Sequence, residues 1–431
     1  MSEHGHEATI RTTLFAFGSN GQGQLGVGDN EDHHIPQSCL FLQLSSVDAA
    51  AKEVTTNHVS HVPLSDGERI HKLASGGNHT LLLTTHGRVF TTGLSDAAQD
   101  HERQVRPELP SKHVLSMSTR HLGVNSNCWS PSSGTDKDHD FDKARVTDIA
   151  CTWAASFFVI DGHKVNTIGC GNRGELGLGQ GTSQSNQPQT CFDVKTLDIT
   201  DSAMPQTDRS TQIVSISASM AHVVVLLSSG RLFGWGASRK GQLGERGKHQ
   251  ASVWKPTEII LSDSRFVPSF VVTGREWTFL SSATGSRYRF FGDDKKLDLV
   301  TQWAHDEWEE ASEPIHALRA GWSSMTALTQ HGQVRGYGKN DRGQLPPSAL
   351  IQEDAKIQYL AVGSEHTVAA LEDGRIVAWG WGEHGNCGGT VDDNKNVKNR
   401  YNTVFENSAV PPRKIAGVAA GCATSFFWFD S

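Results

Sequence analysis

The stretch "GSEHTVAALEDGRIVAWGWGEHGNCG", Gly363 to Gly388, decides the fold. It sets a small residue and a His-Thr pair before an apolar run, turns at "EDG", runs apolar again through "IVAW" and ends in glycines. Two short apolar runs around a Gly-containing turn read as a β-hairpin. The plan returns in "GGNHTLLLTTHGRVFTTG" (Gly76 to Gly93), "CTWAASFFVIDGHKVNTIGCG" (Cys151 to Gly171), "SASMAHVVVLLSSGRLFGWGASRKGQLG" (Ser217 to Gly244) and "AGWSSMTALTQHGQVRGYGKNDRGQL" (Ala320 to Leu345). A weaker copy is "TGREWTFLSSATGSRYRFFG", Thr273 to Gly292. The ends complete the set: "LFAFGSNGQGQLGVG" (Leu14 to Gly28) is a second half without a first, and "AAGCATSFFWF" (Ala419 to Phe429) is a first half without a second. Joined, they make a seventh unit. The expected fold is all-β, a seven-bladed β-propeller closed by pairing of the N- and C-terminal strands, which leaves few exposed edges.

Within the opening stretch, Gly380-Trp-Gly382-Glu-His-Gly385 has the spacing of a dinucleotide-binding turn. That motif carries chemistry only when a helix follows, because the helix N-terminus holds the pyrophosphate. Here "NCGGTVDDNKN" follows, with no helical periodicity, and the spacing recurs at Gly21 to Gly26 and Gly169 to Gly174. The repeated glycines read as a structural turn that needs positive φ.

Composition agrees with many turns: 43 of 431 residues are Gly, and the net charge is −8, which disfavours nucleic acid or an anionic membrane as the main partner. No apolar run reaches spanning length and no leader opens the chain, so the expectation is a soluble intracellular protein. Seven cysteines without a C-x-x-C pair predict free thiols, with no disulfide framework or structural zinc site. Residues 1–11 read as a flexible tail and residues 12–431 as a single propeller, with loop insertions near 95–148, 180–210 and 389–412. "SSGTDKDHDFDK", Ser132 to Lys143, lacks the spacing of a calcium loop and reads as a solvated insertion.

His79, His222 and His366 hold the same place in three units and are expected to bridge neighbouring blades. No unit carries a distinctive nucleophile, base and orienting group, so catalysis is not expected, nor is a cofactor or resident metal. The residues just before each second strand should lie at one rim. That rim slot is assigned to Trp153, Met220, Trp277, Trp322 and Glu365, whose aromatics lie outside the apolar runs. "WGEHGNCG" adds Trp381, Glu383, His384 and Asn386 at the same blade end, while Trp379 fits the inward strand position and is assigned to the core. Trp beside charged groups on one face is the usual composition of an interaction anchor.

The pattern G-x-x-H-T, G-x-V, then W-G-x-N-x-x-G-Q-L-G resembles the regulator of chromosome condensation repeat, a seven-bladed propeller, over Leu14 to Phe429. "FAFGSNGQGQLG", "WGWGEHGNCG" and "GCATSFFWF" further resemble the fungal alpha-tubulin suppressor family of killer-toxin-insensitivity factors. That resemblance implies an adaptor forming a heterodimer with a small CSL-type zinc protein. The pair would support Elongator-dependent modification of tRNA wobble uridines and diphthamide synthesis on elongation factor 2, in the cytoplasm and the nucleus. Elongator and the diphthamide enzymes would be reached through that zinc protein. In similar propellers, the plant ultraviolet-B receptor among them, a Trp at the slot of Trp322 lies on the interaction face. The founding family suggests a guanine-nucleotide exchange factor for a small GTPase as the alternative, although a basic N-terminal arm is lacking. The suppressor name suggests a tubulin-associated protein.

Overall fold

The computed structural model describes residues 12–48, 53–62, 64–93, 115–116, 145–180, 189–197, 199, 211–263, 265–306, 308, 313–409 and 413–430. Seven sheets follow one another around a ring, each entered through its innermost strand and antiparallel apart from one short parallel pair, Phe41–Asp48 with Leu115–Ser116, on the outer side of the first. Those innermost strands are Ile70–Ser75, Val146–Cys151, Ile213–Ala218, Phe270–Thr273, Ile315–Ala320, Ile357–Val362 and Lys414–Ala420, defining blades 1 to 7. Together they enclose a central channel of about 640 Å³.

The second strand of each blade explains the apolar runs. His79–Thr84, Ala155–Ile160, His222–Leu227, Trp277–Ser281, Ser324–Thr329 and His366–Leu371 are buried along their whole length. Each is flanked by strands on both edges and by neighbouring blades on both faces, so both sides must be apolar or hydrogen-bonded. Each large side chain so buried contributes about 1.5–3 kcal/mol, which makes the blade-to-blade seams the main store of stability.

Blade 7 closes the ring as the two half units predict. Thr424–Asp430 pairs antiparallel with Thr13–Gly18, Leu14 opposite Trp428 and Phe17 opposite Ser425. His33–Ser38 then forms its outer edge.

All three expected insertions contain regular structure, the one at 95–148 in the short strand Leu115–Ser116 paired with Val89–Gly93. In blade 6, Asn396–Glu406 is the outer strand, paired with Arg375–Trp381, and its Phe405 packs against Phe15, Phe427 and Phe429 of blade 7. In blade 2, Gln189–Leu197 pairs with Lys164–Gly171. The assignment of 389–412 and 180–210 to loops is therefore corrected. An outer strand has one solvated edge and carries polar residues, as "NVKNRYNTVFE" does, so no apolar run announces it. The expected insertion at 95–148 ends where the first strand of blade 2 begins at Val146. Its residues 132–143 and the tail 1–11 lie outside the described residues.

Blades 4 and 5 show three strands each among the described residues, followed by helices α1 (Leu299–His305) and α2 (Ser348–Gln352). From α1, Trp303 is fully buried against Phe279, Trp308 and Tyr337, with its indole N–H donating to the Gly285 carbonyl at 3.1 Å. A helix with one large aromatic thus covers the edge that a fourth strand covers elsewhere.

Candidate functional site: an aromatic and arginine face

Two sets of loops meet on one face of the ring: those joining first to second strands, and the Gly-rich loops after the third strands. The Gly-rich loops are stacked turns. Gly385 N–H donates to Gly382 and Gly388 N–H to Gly385, with both residues at positive φ, and no helix follows. This is the turn that mimics the dinucleotide spacing. A Cβ on Gly385 would stand 2.8 Å from the His33 carbonyl oxygen, so glycine is needed for close approach as well as for backbone angle.

The strand-joining loops are tied blade to blade by backbone hydrogen bonds. Gly77 N–H donates to the Trp153 carbonyl, Trp153 N–H to Met220, Arg275 N–H to Trp322 and Trp322 N–H to Ser364. This belt fixes which residues are equivalent, and the slot is held by Gly77, Trp153, Met220, Arg275, Trp322 and Ser364. Trp153, Met220 and Trp322 occupy it as expected. Trp277 does not: it lies two residues later, in the place that His222 and His366 hold in their units. It is 1% exposed, stacks on Phe290 and donates its indole N–H to the Trp322 carbonyl at 2.9 Å. Its assignment to the rim is corrected to a seam between blades 4 and 5. Glu365 is one residue past the slot but still reaches the face.

The histidines bridge blades as their repetition suggests in two of three cases. His222 Nε2 lies 3.1 Å from Thr278 Oγ1 of the next blade, and His366 Nε2 lies 3.0 Å from Ser425 Oγ. Among the described residues His79 has no hydrogen-bond partner on either ring nitrogen. Burial holds all three imidazoles down to about 4, so they are neutral at physiological pH.

On the face, a pocket of about 270 Å³ brings together Trp153, Trp322, Glu365, Trp381 and His384, with Arg275 and Arg342 between them. Trp153 and Trp322, from blades 2 and 5, approach to 6.1 Å between ring centroids over the narrow end of the central channel. Arg275 stacks its guanidinium 5.5 Å from the centroid of Trp322, and Arg342 lies 5.4 Å from that of Trp381. His384 meets Trp381 edge-on and places Nδ1 2.7 Å from Asp32 Oδ2, joining blade 6 to the N-terminal half unit. Glu365 Oε2 accepts from Ser323 Oγ at 2.6 Å and from Gln344 Nε2 at 2.9 Å. Glu365 is thus fixed and partly satisfied. Among the described residues, neither Arg275 nor Arg342 forms a side-chain ion pair, although Asp341 adjoins Arg342.

Glu383 lies beside this pocket, in a second hollow with Arg342, Trp381 and Asn396. Asn386 is fully buried, its side-chain amide donating to the Trp381 carbonyl at 2.7 Å and its own carbonyl accepting from Ser425 Oγ at 2.8 Å. It holds the turn under Trp381, and its assignment to the contact face is corrected. Trp379 is buried, as its strand position indicates, with its N–H on the Gln344 carbonyl. Arg275 and Arg342 were missed by sequence reading, which followed aromatics alone; the signal was an Arg at the slot position of "GREW" and one in the Gly-rich loop "NDRGQL". Cys422 lines the pocket, but burial pushes its thiol up to about 11, which removes it as a nucleophile at neutral pH. Among the described residues, Cys39, Cys151, Cys387 and Cys422 form no disulfide.

Residues 13–427 match the family model of the RCC1-like domain. A Schizosaccharomyces pombe RCC1 repeat-containing protein is 27% identical, covering 96% of this chain and 97% of its own length. The mouse secretion-regulating guanine nucleotide exchange factor is 23% identical, covering 95% of this chain and 81% of its own. Among solved structures, Prp20p of Saccharomyces cerevisiae superposes with a TM-score of 0.64 at 17% identity, over 98% of this chain and 92% of that one. Human WBSCR16 gives 0.61 at 17% identity, over 98% and 100%. The structural likenesses speak for the fold, and the match along nearly the whole sequence speaks for descent: the chain belongs to the RCC1-like domain family.

Proposed function

We propose that the protein is a non-catalytic adaptor whose aromatic and arginine face docks a small protein, the CSL-type zinc protein that serves diphthamide synthesis and Elongator-dependent tRNA modification, in the cytoplasm and the nucleus. The observation that carries the docking reading is the convergence on one face of Trp153, Trp322 and Trp381 with two arginines that form no side-chain ion pair among the described residues. Trp and Arg dominate binding energy at protein interfaces because they bury large area at low entropic cost and bring charge into a desolvated contact. The choice of partner rests on the resemblance of "WGWGEHGNCG" and "GCATSFFWF" to the fungal alpha-tubulin suppressor family. Stacking on Trp presents Arg275 and Arg342 as a pre-oriented positive pair, which calls for carboxylates on the partner.

The test is calorimetric titration of the chain with the zinc protein at physiological salt, alongside Trp322→Ala and His384→Ala. One-to-one binding that weakens at least tenfold, about 1.4 kcal/mol, in either variant supports the adaptor and its face. Binding unchanged by both moves the site elsewhere, and no wild-type binding refutes the partner.

A second reading is exchange-factor activity on a small GTPase, favoured by the similarity to the mouse secretion-regulating exchange factor across most of both chains. Acceleration of GDP release from a panel of Ran-type and Rab-type GTPases would support it, and Trp322→Ala would show whether the same face is used.

A further inference from the structure

The seven innermost strands can be aligned by register, because the third residue before the slot pairs in every blade with the third residue of the second strand: Ala74 with Leu81, Arg319 with Thr326, Ala361 with Val368. At this level the channel wall is made of Ala74, Ala150, Ser217, Val272, Ala361 and Ala419, with Arg319 as the seventh member. Six short side chains leave room, and one long cation reaches into it.

Arg319 lines the channel with its side chain exposed to the channel space. Its one hydrogen bond among the described residues runs from Nη1 to the carbonyl of Leu318 at 3.0 Å, leaving four N–H donors unused. The other charges in the channel wall are Lys72 and Asp148, which face each other at 2.6 Å. Asp148 also accepts from the backbone N–H groups of Ile149 and Ile216. Among the described residues of the wall the one carboxylate is thus already claimed, which leaves Arg319 as a surplus positive charge. A guanidinium with free donors facing the channel presents a planar fork that matches the two oxygens of an oxyanion. Ser217 and Thr273 share one hydrogen bond at 3.0 Å, so one of the two hydroxyl protons remains free to donate within the same wall.

We propose that the central channel holds a small oxyanion, of the size and charge of phosphate, against Arg319. The site is independent of the partner reading of the face. It places a counter-ion at the hub where all seven innermost strands meet, directly beneath the Trp153 and Trp322 pair, so occupancy stabilises the closed ring.

The probe is inorganic phosphate replacing chloride at constant ionic strength and pH, followed by thermal unfolding of the full chain. The wild-type midpoint is expected to rise and saturate. Arg319→Met should bind at least tenfold more weakly or not respond, and Arg319→Lys, which keeps the charge but loses the fork, should fall between. A wild-type midpoint that does not move, or a rise of equal size in wild type and Arg319→Met, overturns the proposal. Should Arg319→Met fail to fold, an unchanged phosphate affinity in Arg319→Lys overturns it equally.

Discussion

The buried histidines make the ring sensitive to mild acid, and His366 allows the size to be worked out. Its imidazole is buried, its Nε2 spans the seam to Ser425, and burial depresses it from 6.5 to about 4. A depressed value means that the unfolded chain takes up the proton first. The stabilisation from the neutral folded form is therefore complete above about pH 6.5 and is lost as the pH falls toward 4. Between about pH 7.5 and 5.0 the difference in proton uptake amounts to about 2 kcal/mol for this one residue. His79 and His222 carry the same depression from the same cause, so the three together remove about 6 kcal/mol over that interval. This is comparable with the whole stability of many domains. Glu68, held down to about 2 by Arg88 and Ser65 against its own burial, loses its contribution as the pH falls from about 4.5 toward 2, and hardly enters this window. Urea unfolding of wild type and His366→Gln at the two pH values is the assay. Glutamine cannot take up the proton, so the variant should be less stable at pH 7.5 but should lose about 2 kcal/mol less on acidification. Identical pH dependence in the two proteins would refute the argument, because surface histidines common to both cancel in the comparison.

Trp277→Ala is expected to cost about 3–5 kcal/mol of stability through the cavity left in the seam, whereas Trp153→Ala, with its ring 39% exposed, should leave the urea midpoint nearly unchanged. Gly385→Ala forces a Cβ toward the His33 carbonyl at positive φ and should destabilise by about 1–3 kcal/mol, read in the same assay. Charge reversal by Arg275→Glu or Arg342→Glu should weaken binding of the zinc protein at least tenfold and flatten its dependence on salt, measured by calorimetry at two ionic strengths; unchanged affinity in both would remove the arginines from the interface.

Which features were legible in the sequence follows from how each is encoded. The blade count was legible because every second strand is buried on both faces and so appears as an apolar run, and because the two half units pair Thr13–Gly18 with Thr424–Asp430. Outer strands such as Asn396–Glu406 were hidden because an edge is satisfied by polar residues and bonds through its backbone, which any side chain permits. The face was half legible. Trp322 and Trp381 stand out as aromatics beside glycines, but "GREW" sets its Trp three residues after the glycine and "GWSS" sets its Trp one residue after. Counting from Gly274 and Gly321 places Trp277 in the seam and Arg275 in the slot. The blades are therefore alike in backbone and interchangeable at that slot in side chain: Trp in two, Met in one, Arg in one. A ring built so can vary its face without disturbing its seams, since the slot residue contributes only backbone N–H and carbonyl groups to the belt. This separation explains why repeat similarity identifies the fold along the whole chain while the choice of partner depends on a few positions that the repeat leaves free.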